Sequence, residues 1–383
     1  MDTSIINLGG YIMKLGFACL WNEDKKKTWS YTPWNLRKSL SNITKIVDVG
    51  IEYNKYFLKF LKLINIKYKY GHLCSDWEFS SFTDRINQHM LKSNLHGVDA
   101  LLEIGDLSIT DKPYYLYQDC CCAFLLDCLE RGMTLEIMGF GSLSKDLLLR
   151  RHEREMKVYE KMSGLFSMNN WLAEYLNKKL NIDKDKIHPV YAGINSVSKV
   201  PIVKKDNRSE RNKLLFLGVD FFRKGGDIVL EAVDICRKEI DPDVTLTVIG
   251  PKKWPLKTEI PDYVKFLGRL STDAVASIID EHDLLVMPSR FEAFGIAFLE
   301  ALSRGIPCIG RNAFAMPEFI IPGKNGDLID NDDSHKLAEI IYNVLKNDEI
   351  YDYTFNDVDN IINKYSWDRV AKDIYSAISM NLM

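Results

Sequence analysis

The sequence predicts an α/β protein of two domains, each a parallel β-sheet with helices on both faces. Short apolar strands alternate with loops and helices along most of the chain, beginning with a strand at 14–20, which is the pattern of βαβ units. At 383 residues the chain exceeds one ordinary domain. Between 196 and 211 Lys, Asp, Ser, Asn and Arg replace the apolar pattern, which indicates an interdomain linker.

The first domain is predicted to span 1–195. Thr32 with Pro33 has the pattern of an N-cap followed by a proline at the first helical position, so a helix is expected from there to about residue 41. The other elements follow by the same alternation. Further strands are expected at 46–51, 98–104, 113–117, 165–167 and 187–191, and helices at 78–95, 142–162 and 170–180.

The second domain is predicted to span 196–366. Its inner helix faces are marked by apolar residues three to four positions apart. A last amphipathic helix, within 367–383, is expected to cross back to the first domain. Strands are expected at 213–218, 244–249, 264–267, 283–287 and 307–309, and helices at 226–240, 272–279, 295–305, 334–345 and 348–365.

Composition excludes several protein classes. Apolar residues make up 46% and charged residues 27%, as in soluble globular enzymes. No apolar run reaches 18 residues and no secretory leader is recognisable at the N-terminus, so we expect a cytoplasmic protein. The eight cysteines form no C-x-x-C pair, which favours free thiols in a reducing compartment. Residues 1–199 carry a net charge of +4 and residues 200–383 a net charge of −7, so the first half suits an anionic partner better.

The segment 54–70 interleaves five lysines with aromatic and aliphatic residues. A basic amphipathic segment of this kind can lie on an anionic membrane surface. It can equally be a surface helix that packs its apolar side inward. With the first interpretation the protein would be peripheral on the inner face of a membrane.

The stretch 288–300 follows a buried strand and contains Glu292, Gly295 and Glu300. Gly295 is expected to open a helix, whose free backbone N–H groups and dipole attract phosphate. Two carboxylates would not hold phosphate, but they suit a ligand that also carries hydroxyls, such as a sugar nucleotide. The alternative is an ordinary capped helix with two solvated glutamates.

The loop from Gly218 to Gly226 joins a strand to a helix and carries Arg223 and Lys224. Two cations near a helix N-terminus suit a diphosphate, Lys as a point charge and Arg as a planar fork. The loop lacks the G-x-x-x-x-G-K-[ST] pattern of a Walker loop. A basic surface turn is the alternative interpretation.

Carboxylates elsewhere lead to two further expectations. Asp119 directly follows the strand at 113–117, where open α/β sheets bind ligands, although it could instead cap the next helix. D-x-D triplets at 183/185, 241/243 and 330/332 lie in polar turns, and we interpret them as solvated rather than as a metal site. We therefore expect no metal and no cofactor.

Taken together, these segments resemble glycosyltransferase family 4, whose members have the GT-B fold of two facing Rossmann-like domains. The resemblance runs over about 187–383. It is carried, in family order and spacing, by Phe216-Leu217-Gly218…Lys224-Gly225, Val248-Ile249-Gly250-Pro251, Val264-Lys265-Phe266-Leu267-Gly268, Pro288-Ser289…Glu292-Ala293-Phe294-Gly295…Leu299-Glu300-Ala301, Gly305-Ile306-Pro307 and Pro317-Glu318…Gly323-Lys324-Asn325-Gly326.

The resemblance implies a donor site in the second domain. Glu292 would contact the hydroxyls of the donor sugar, Glu300 the ribose, and Lys224 the leaving diphosphate. Such enzymes usually retain anomeric configuration and need no metal. The remaining implied donor-binding residues are Gly218, Arg223, Gly268, Arg269 and Leu270, the last three beside the base, and Phe294, Gly295 and Ile296, whose backbone N–H groups would hold the distal phosphate or the sugar.

Departures from the family pattern concern the acceptor. Val219 stands where relatives often have an arginine, and Arg223 is the candidate replacement. Tyr117-Gln118-Asp119 stands where relatives often have a histidine, which makes Asp119 the candidate catalytic residue that orients the acceptor or the sugar. In place of a glycine pair the first loop has Thr28-Trp29-Ser30-Tyr31-Thr32-Pro33, in which Thr28, Trp29, Ser30 and Thr32 are the candidate acceptor-side residues.

The sequence thus predicts a retaining, metal-independent hexosyltransferase. It would move a sugar from a nucleoside diphosphate to a glycan, lipid-linked or protein acceptor held by the first domain. Nucleic acid is not an expected partner. The alternatives are a nucleotide-sugar epimerase or sugar phosphorylase with the same fold, and a glycosyltransferase-like subunit without turnover.

Overall fold

The computed structural model describes residues 13–69, 72–198, 201–202 and 204–382. The chain divides into two compact units. The first comprises 1–136, 140–193 and 366–383, and the second comprises 137–139 and 194–365. In the described part of the chain no helix is both long and apolar enough to span a bilayer.

Fourteen strands lie in the described residues. They are short, three to five residues each, as is usual in α/β sheets. In chain order they are β1 Lys14–Ala18, β2 Lys45–Asp48, β3 Ile66–Lys69, β4 His72–Ser75, β5 Ala100–Ile104, β6 Tyr114–Gln118, β7 Gly164–Ser167, β8 Ile187–Pro189, β9 Lys213–Leu217, β10 Thr245–Ile249, β11 Val264–Gly268, β12 Leu284–Val286, β13 Cys308–Arg311 and β14 Gly326–Ile329.

Thirteen α-helices separate or follow these strands within the same described ranges. Several begin with a side-chain cap, as in α3, α5 and α10. In chain order they are α1 Thr32–Ser41, α2 Lys55–Ile64, α3 Ser81–Asn94, α4 Cys122–Glu130, α5 Lys145–Lys161, α6 Asn170–Leu180, α7 Gly226–Glu239, α8 Thr272–Asp280, α9 Ile296–Leu302, α10 Ser334–Leu345, α11 Asp348–Asn356, α12 Val358–Lys364 and α13 Trp367–Leu382.

The first unit is built on a six-stranded sheet in the order β2-β1-β5-β6-β7-β8. Every neighbouring pair in it is parallel. All residues of β5 and β6 are buried, because helices cover both faces of a parallel sheet. The strand order reverses between β1 and β5, so the loops after these two strands flank a topological switch point.

The second unit has the strand order β11-β10-β9-β12-β13-β14, again with all neighbours parallel. Counted from its first strand, this is the 3-2-1-4-5-6 order of Rossmann folds. Its switch point lies between β9 and β12. The predicted α/β class, the parallel sheets and the two Rossmann-like units are therefore confirmed.

The last helix belongs to the first unit, as predicted. α13 packs against α1, and Arg369 donates from Nη2 to the carbonyl oxygen of Val190 at 2.7 Å. A Cβ on Gly193 would lie 2.4 Å from the indole of Trp367. The side-chain-free residue at 193 is therefore what lets the indole pack there.

Some local predictions were wrong. The basic segment is helical only through α2. It continues into the antiparallel hairpin β3–β4, because Ile66 and Tyr68 alternate with lysines in a strand period. Tyr70 lies outside the described residues. The predicted helix 348–365 is two helices that meet at Asp357, and β14 was not predicted.

Candidate active site

The loop between β9 and α7 places Lys224 beside the carboxyl end of the sheet. Asp220 accepts a hydrogen bond from the backbone N–H of Arg223 through Oδ1 at 3.2 Å, which closes the turn. Gly225 has a φ of 77°, and a Cβ there would lie 2.7 Å from the carbonyl oxygen of Pro288. The glycine thus allows this loop to pack directly against the turn that follows β12.

Lys224 and Glu292 are in contact. The Nζ atom donates to Oε2 of Glu292, in an ion pair whose side chains are 14% and 10% exposed. The two residues follow β9 and β12, which are paired neighbours at the switch point. Burial, together with the neighbouring Arg223 guanidinium, lowers the pKa of the Lys224 ammonium. The Asp220 carboxylate opposes that shift by stabilising the charged form.

Arg223 does not stand free for a ligand. Its guanidinium donates from Nη1 to the carbonyl oxygen of Phe291 at 3.0 Å and approaches Asp220 from Nε at 3.3 Å. Its charge lies beside Lys224, but its hydrogen bonds hold the 288–292 turn. Arg223 therefore has a structural role in this loop.

Two arginines that the sequence reasoning missed fix the same turn. Arg290 binds Asp227 in a bidentate pair at 2.8 and 2.9 Å and Asp332 at 2.8 Å. Arg311 donates to the carbonyl oxygens of Pro288 and Ser289, each at 3.1 Å. Asp332 was predicted to be solvated, yet it pairs with both arginines. The position of Arg290 inside the stretch 288–300 was a signal from which its role could have been predicted.

Glu300 lies on the second turn of α9, which opens at Gly295 with a φ of 96°. Burial raises the pKa of the Glu300 carboxyl to about 7, and the guanidinium of Arg304 opposes the shift. Arg304 itself is 2% exposed and is held by Asp280 at 3.2 Å. Glu300 is thus half-buried and differs from the solvated glutamate of the alternative interpretation.

The remaining donor candidates lie in the loops around this pair. Gly295 touches it, because a Cβ there would lie 3.2 Å from Cγ of Glu292. Phe294 is buried against Phe319, with ring centroids 6.0 Å apart, and Ile296 begins α9. Gly268 ends β11 with a φ of 66°, and its carbonyl oxygen accepts from the N–H of Gly250 at 2.9 Å.

Two further donor candidates and Gly218 sit in the neighbouring loops. Arg269 is exposed and Leu270 is half-buried after β11. A Cβ on Gly250 would lie 2.4 Å from the carbonyl of Gly218. The loops after β9 and β10 therefore touch through their backbones at these two glycines.

The acceptor-side candidates in the first unit form a tight, strained turn after β1. Trp29, Ser30 and Tyr31 have positive φ values of 40°, 54° and 68°, a conformation that L-residues rarely adopt. Thr28 is buried and accepts a hydrogen bond from the N–H of Asn22 at 3.0 Å. Thr32 is 1% exposed and is the first residue of α1 rather than its cap, which is Tyr31.

Asp119 follows β6 and is half-buried. Burial raises the pKa of its carboxyl to about 6, and a hydrogen bond from its own backbone N–H opposes the shift. The N-cap of α4 is Cys121, so the interpretation of Asp119 as a cap is wrong. Because β1 and β6 both neighbour β5, the 28–32 turn and Asp119 lie at the same carboxyl edge of the sheet.

Comparisons with known proteins find similarity to glycosyltransferases. Residues 201–357 match the family model "Glycosyl transferases group 1". An uncharacterized glycosyltransferase of Methanocaldococcus jannaschii is 23% identical over 79% of this chain and 83% of its own length. The phosphatidyl-myo-inositol mannosyltransferase of Mycobacterium leprae is 26% identical over 61% of this chain and 63% of its own.

Among solved structures, the sucrose-phosphate synthase of Thermosynechococcus elongatus superposes with a TM-score of 0.68 at 13% identity. It covers 96% of this chain and 98% of that one. This likeness shows that the chain has the GT-B fold, with two Rossmann-like units. The family match lies within the second unit, at the residues that hold the Lys224–Glu292 pair. Residues 201–357 thus resemble the group 1 glycosyltransferases.

Proposed function

We propose that the chain is a retaining, metal-independent hexosyltransferase that takes its sugar from a nucleoside diphosphate. The observation that carries the proposal is the contact between Lys224 and Glu292. Two loops separated by 68 residues bring a cation and a carboxylate together at the switch point where Rossmann sheets bind nucleotides. A structural ion pair alone would not require this position at the carboxyl end of the central strands.

Each member of the pair has a role that fits its chemistry. When the donor binds, Lys224 turns to the diphosphate and neutralises charge as it leaves. Glu292 is then released to accept hydrogen bonds from the sugar hydroxyls, and Glu300 accepts them from the ribose. Positioned cations and N–H groups at a developing negative charge supply electrostatic catalysis. Retention and independence of metal complete the proposal, and both come from the family resemblance.

The acceptor is proposed to bind the first unit. Trp29 at the turn after β1 is 36% exposed and offers an aromatic face to a sugar or lipid-linked saccharide. Asp119 at the same edge would orient the acceptor hydroxyl. The mannosyltransferase relative is named for a phosphatidyl-myo-inositol acceptor, which supports the lipid-linked class over a protein acceptor.

The decisive experiment incubates the wild type, Lys224→Met and Glu292→Gln with UDP-, GDP- and ADP-hexoses, with and without acceptor. We expect donor hydrolysis by the wild type, and a fall of about a thousandfold or more in both variants, since positioned charges at such sites contribute at that scale. Glu339→Gln, an exposed glutamate of α10, is the control. Normal turnover in both variants would refute the assignment.

The same assay separates the alternatives. An epimerase would convert the nucleotide sugar without acceptor and without releasing nucleoside diphosphate. A subunit without turnover would bind the donor and release nothing. The relatives compared above are named as transferases or synthases, which does not favour the epimerase.

We also propose that the basic segment contacts an anionic membrane, on the strength of its exposed side chains. Tyr56, Leu63 and Tyr68 are 84%, 66% and 73% exposed, although large apolar side chains are normally covered. Exposed Lys55, Lys59 and Lys62 stand with Tyr56 and Leu63 on α2, and Tyr68 lies on β3. An apolar face bordered by cations suits the interface of an anionic bilayer.

Vesicle co-sedimentation tests this contact. The wild type should bind phosphatidylglycerol vesicles and should bind phosphatidylcholine vesicles only weakly. The double variant Tyr56→Ser, Leu63→Ser should not bind phosphatidylglycerol vesicles. Phe82→Ser, which removes an exposed aromatic of α3, is the control. Equal binding by the double variant and the wild type would sink the proposal without touching the donor site.

A further inference from the structure

A basic cavity lies between α3 and α5 in the first unit. Its volume is about 270 Å³. It is separate from the candidate active-site residues. Five cationic side chains and one carboxylate, Asp84, line it, so its wall carries a formal charge of +4. The cations are Arg85, Arg150, Arg151, Arg154 and Lys157.

Two of the arginines form a fixed floor. Arg151 donates to Asp84 and to Asp106, each at 2.5 Å. Arg154 donates to the carbonyl oxygens of Asp106 at 2.7 Å and Leu107 at 2.5 Å. The carboxylates of Asp84 and Asp106 are thereby committed to these two guanidinium groups. They do not neutralise the other three cations.

Those three cations form the rim. Arg85, Arg150 and Lys157 are exposed, and no ion pair involves them within the described ranges. Arg150, Arg154 and Lys157 occupy positions i, i+4 and i+7 on one face of α5. All three side chains line the space between α3 and α5, so their positive potentials add at an anion that lies there.

We propose that this cavity binds the phosphate group of an anionic ligand. Guanidinium groups recognise phosphate oxygens in pairs, and a lysine adds a mobile point charge. The phosphate could be that of a free solute or of a lipid headgroup. Phe79 lines the cavity, and Trp77, two residues earlier, packs on Tyr53 just before α2 with centroids 5.9 Å apart. A lipid source therefore extends the membrane proposal made above.

The test compares two triple variants of the full chain. Arg85→Ala, Arg150→Ala and Lys157→Ala together empty the rim. Lys92→Ala, Lys179→Ala and Lys184→Ala together remove three exposed cations elsewhere in the first unit, and serve as the control. Inorganic phosphate at constant ionic strength is titrated by calorimetry and by its effect on the thermal midpoint. Phosphatidylcholine vesicles with and without phosphatidic acid form the second arm.

We expect the rim variant to lose affinity about tenfold or more while the control matches the wild type. A loss for free phosphate assigns a solute, and a loss confined to phosphatidic acid vesicles assigns a headgroup. Equal behaviour of the two triple variants towards both probes overturns the proposal. Donor hydrolysis should be unchanged in the rim variant, so failure here and failure of the proposed function are distinguishable. Arg150→Gln alone repeats the test if the triple variant misfolds.

Discussion

The two sheets share an architecture but use their carboxyl edges differently. In the second unit, the loops after β9 and β12 meet in the Lys224–Glu292 ion pair. Arg290 fixes the turn after β12 by pairing with Asp227. In the first unit, the turn after β1 depends on three consecutive left-handed residues. Burial there raises the pKa of the Asp119 carboxyl to about 6.

The difference follows from what each edge is proposed to bind. A diphosphate needs charge at a defined position, and ion pairs supply it. An acceptor hydroxyl needs a surface of particular shape, which backbone conformation can supply. A strained turn persists only where the surroundings over-determine it. Variants that separate charge from backbone therefore test the contrast directly.

Breaking the charged pair should have the largest effect. Lys224→Met leaves the Glu292 carboxylate buried without its cation, which costs about 3–5 kcal/mol of unfolding free energy. Lys224→Met with Glu292→Gln should recover most of that loss, while donor turnover stays abolished. Chemical denaturation of the two single variants and the double variant gives the coupling energy. An uncoupled, additive result would show that the pair does not organise the site.

A buried carboxyl in the first unit gives a comparable effect through pH. Burial raises the pKa of Glu103 to about 7, and hydrogen bonds from Ser108 oppose the shift. Below pH 4.5 the carboxyl is protonated in both states. As pH rises to 7 the unfolded state ionises first, so the native state loses stability by about 3 kcal/mol.

Glu103→Gln should remove this pH dependence. Its free energy of unfolding should be close to that of the wild type near pH 4. Above pH 7 it should be larger than that of the wild type, because the amide never ionises. Denaturation midpoints measured from pH 4 to pH 8 check the slope. Asp111→Asn, an exposed carboxylate nearby, is the control, and a parallel slope in Glu103→Gln would contradict the prediction.

Arg290→Lys should show how far the turn depends on bidentate pairing. A lysine keeps the charge but cannot bind Asp227 and Asp332 as a fork, so we expect a loss of about 2 kcal/mol. Donor affinity should fall as well, since the turn carries Glu292. Arg131→Lys on the exposed end of α4 should change stability by less than about 0.5 kcal/mol. Chemical denaturation measures the loss of stability, and calorimetric titration with the nucleotide sugar that the hydrolysis screen selects measures donor affinity.

The smallest expected effect concerns the strained turn. A protein with alanine at a given position is normally more stable than the same protein with glycine there. At Trp29, where φ is 40°, the order should reverse, and Trp29→Gly should exceed Trp29→Ala by about 1 kcal/mol. The same pair at Lys38 in α1 should show the normal order by a similar amount. Alanine ahead of glycine at both positions would remove the evidence for strain.

The residues of the proposed donor site were predicted from local sequence. The strand before Gly218 and the stretch around Glu292 each carry their own signals of apolar run, glycine and charge. Arg290 and Arg311 were missed because their role lies in partners 21 to 63 residues away. Nothing in the local pattern of Asp332 distinguishes an ion-paired carboxylate from a solvated one.

The first unit was less predictable for the same reason. Segment 54–70 has helical amphipathicity throughout its first half, but Ile66 and Tyr68 pair with the strand at 72–75. That pairing partner lies beyond the segment itself. The basic cavity likewise requires α3 and α5 to lie side by side, and their cations are more than 60 residues apart in sequence.

By itself the sequence determined the α/β class and the parallel sheets and led to the residues proposed to bind a donor, because periodicity, glycines and strand-end charges are local properties. The tertiary structure decided which charges meet. It paired Lys224 with Glu292, committed Arg223 to a backbone carbonyl and gathered five cations around one cavity. Electrostatic interactions depend on distance and burial, and both are set only when strands distant in sequence become neighbours in a sheet.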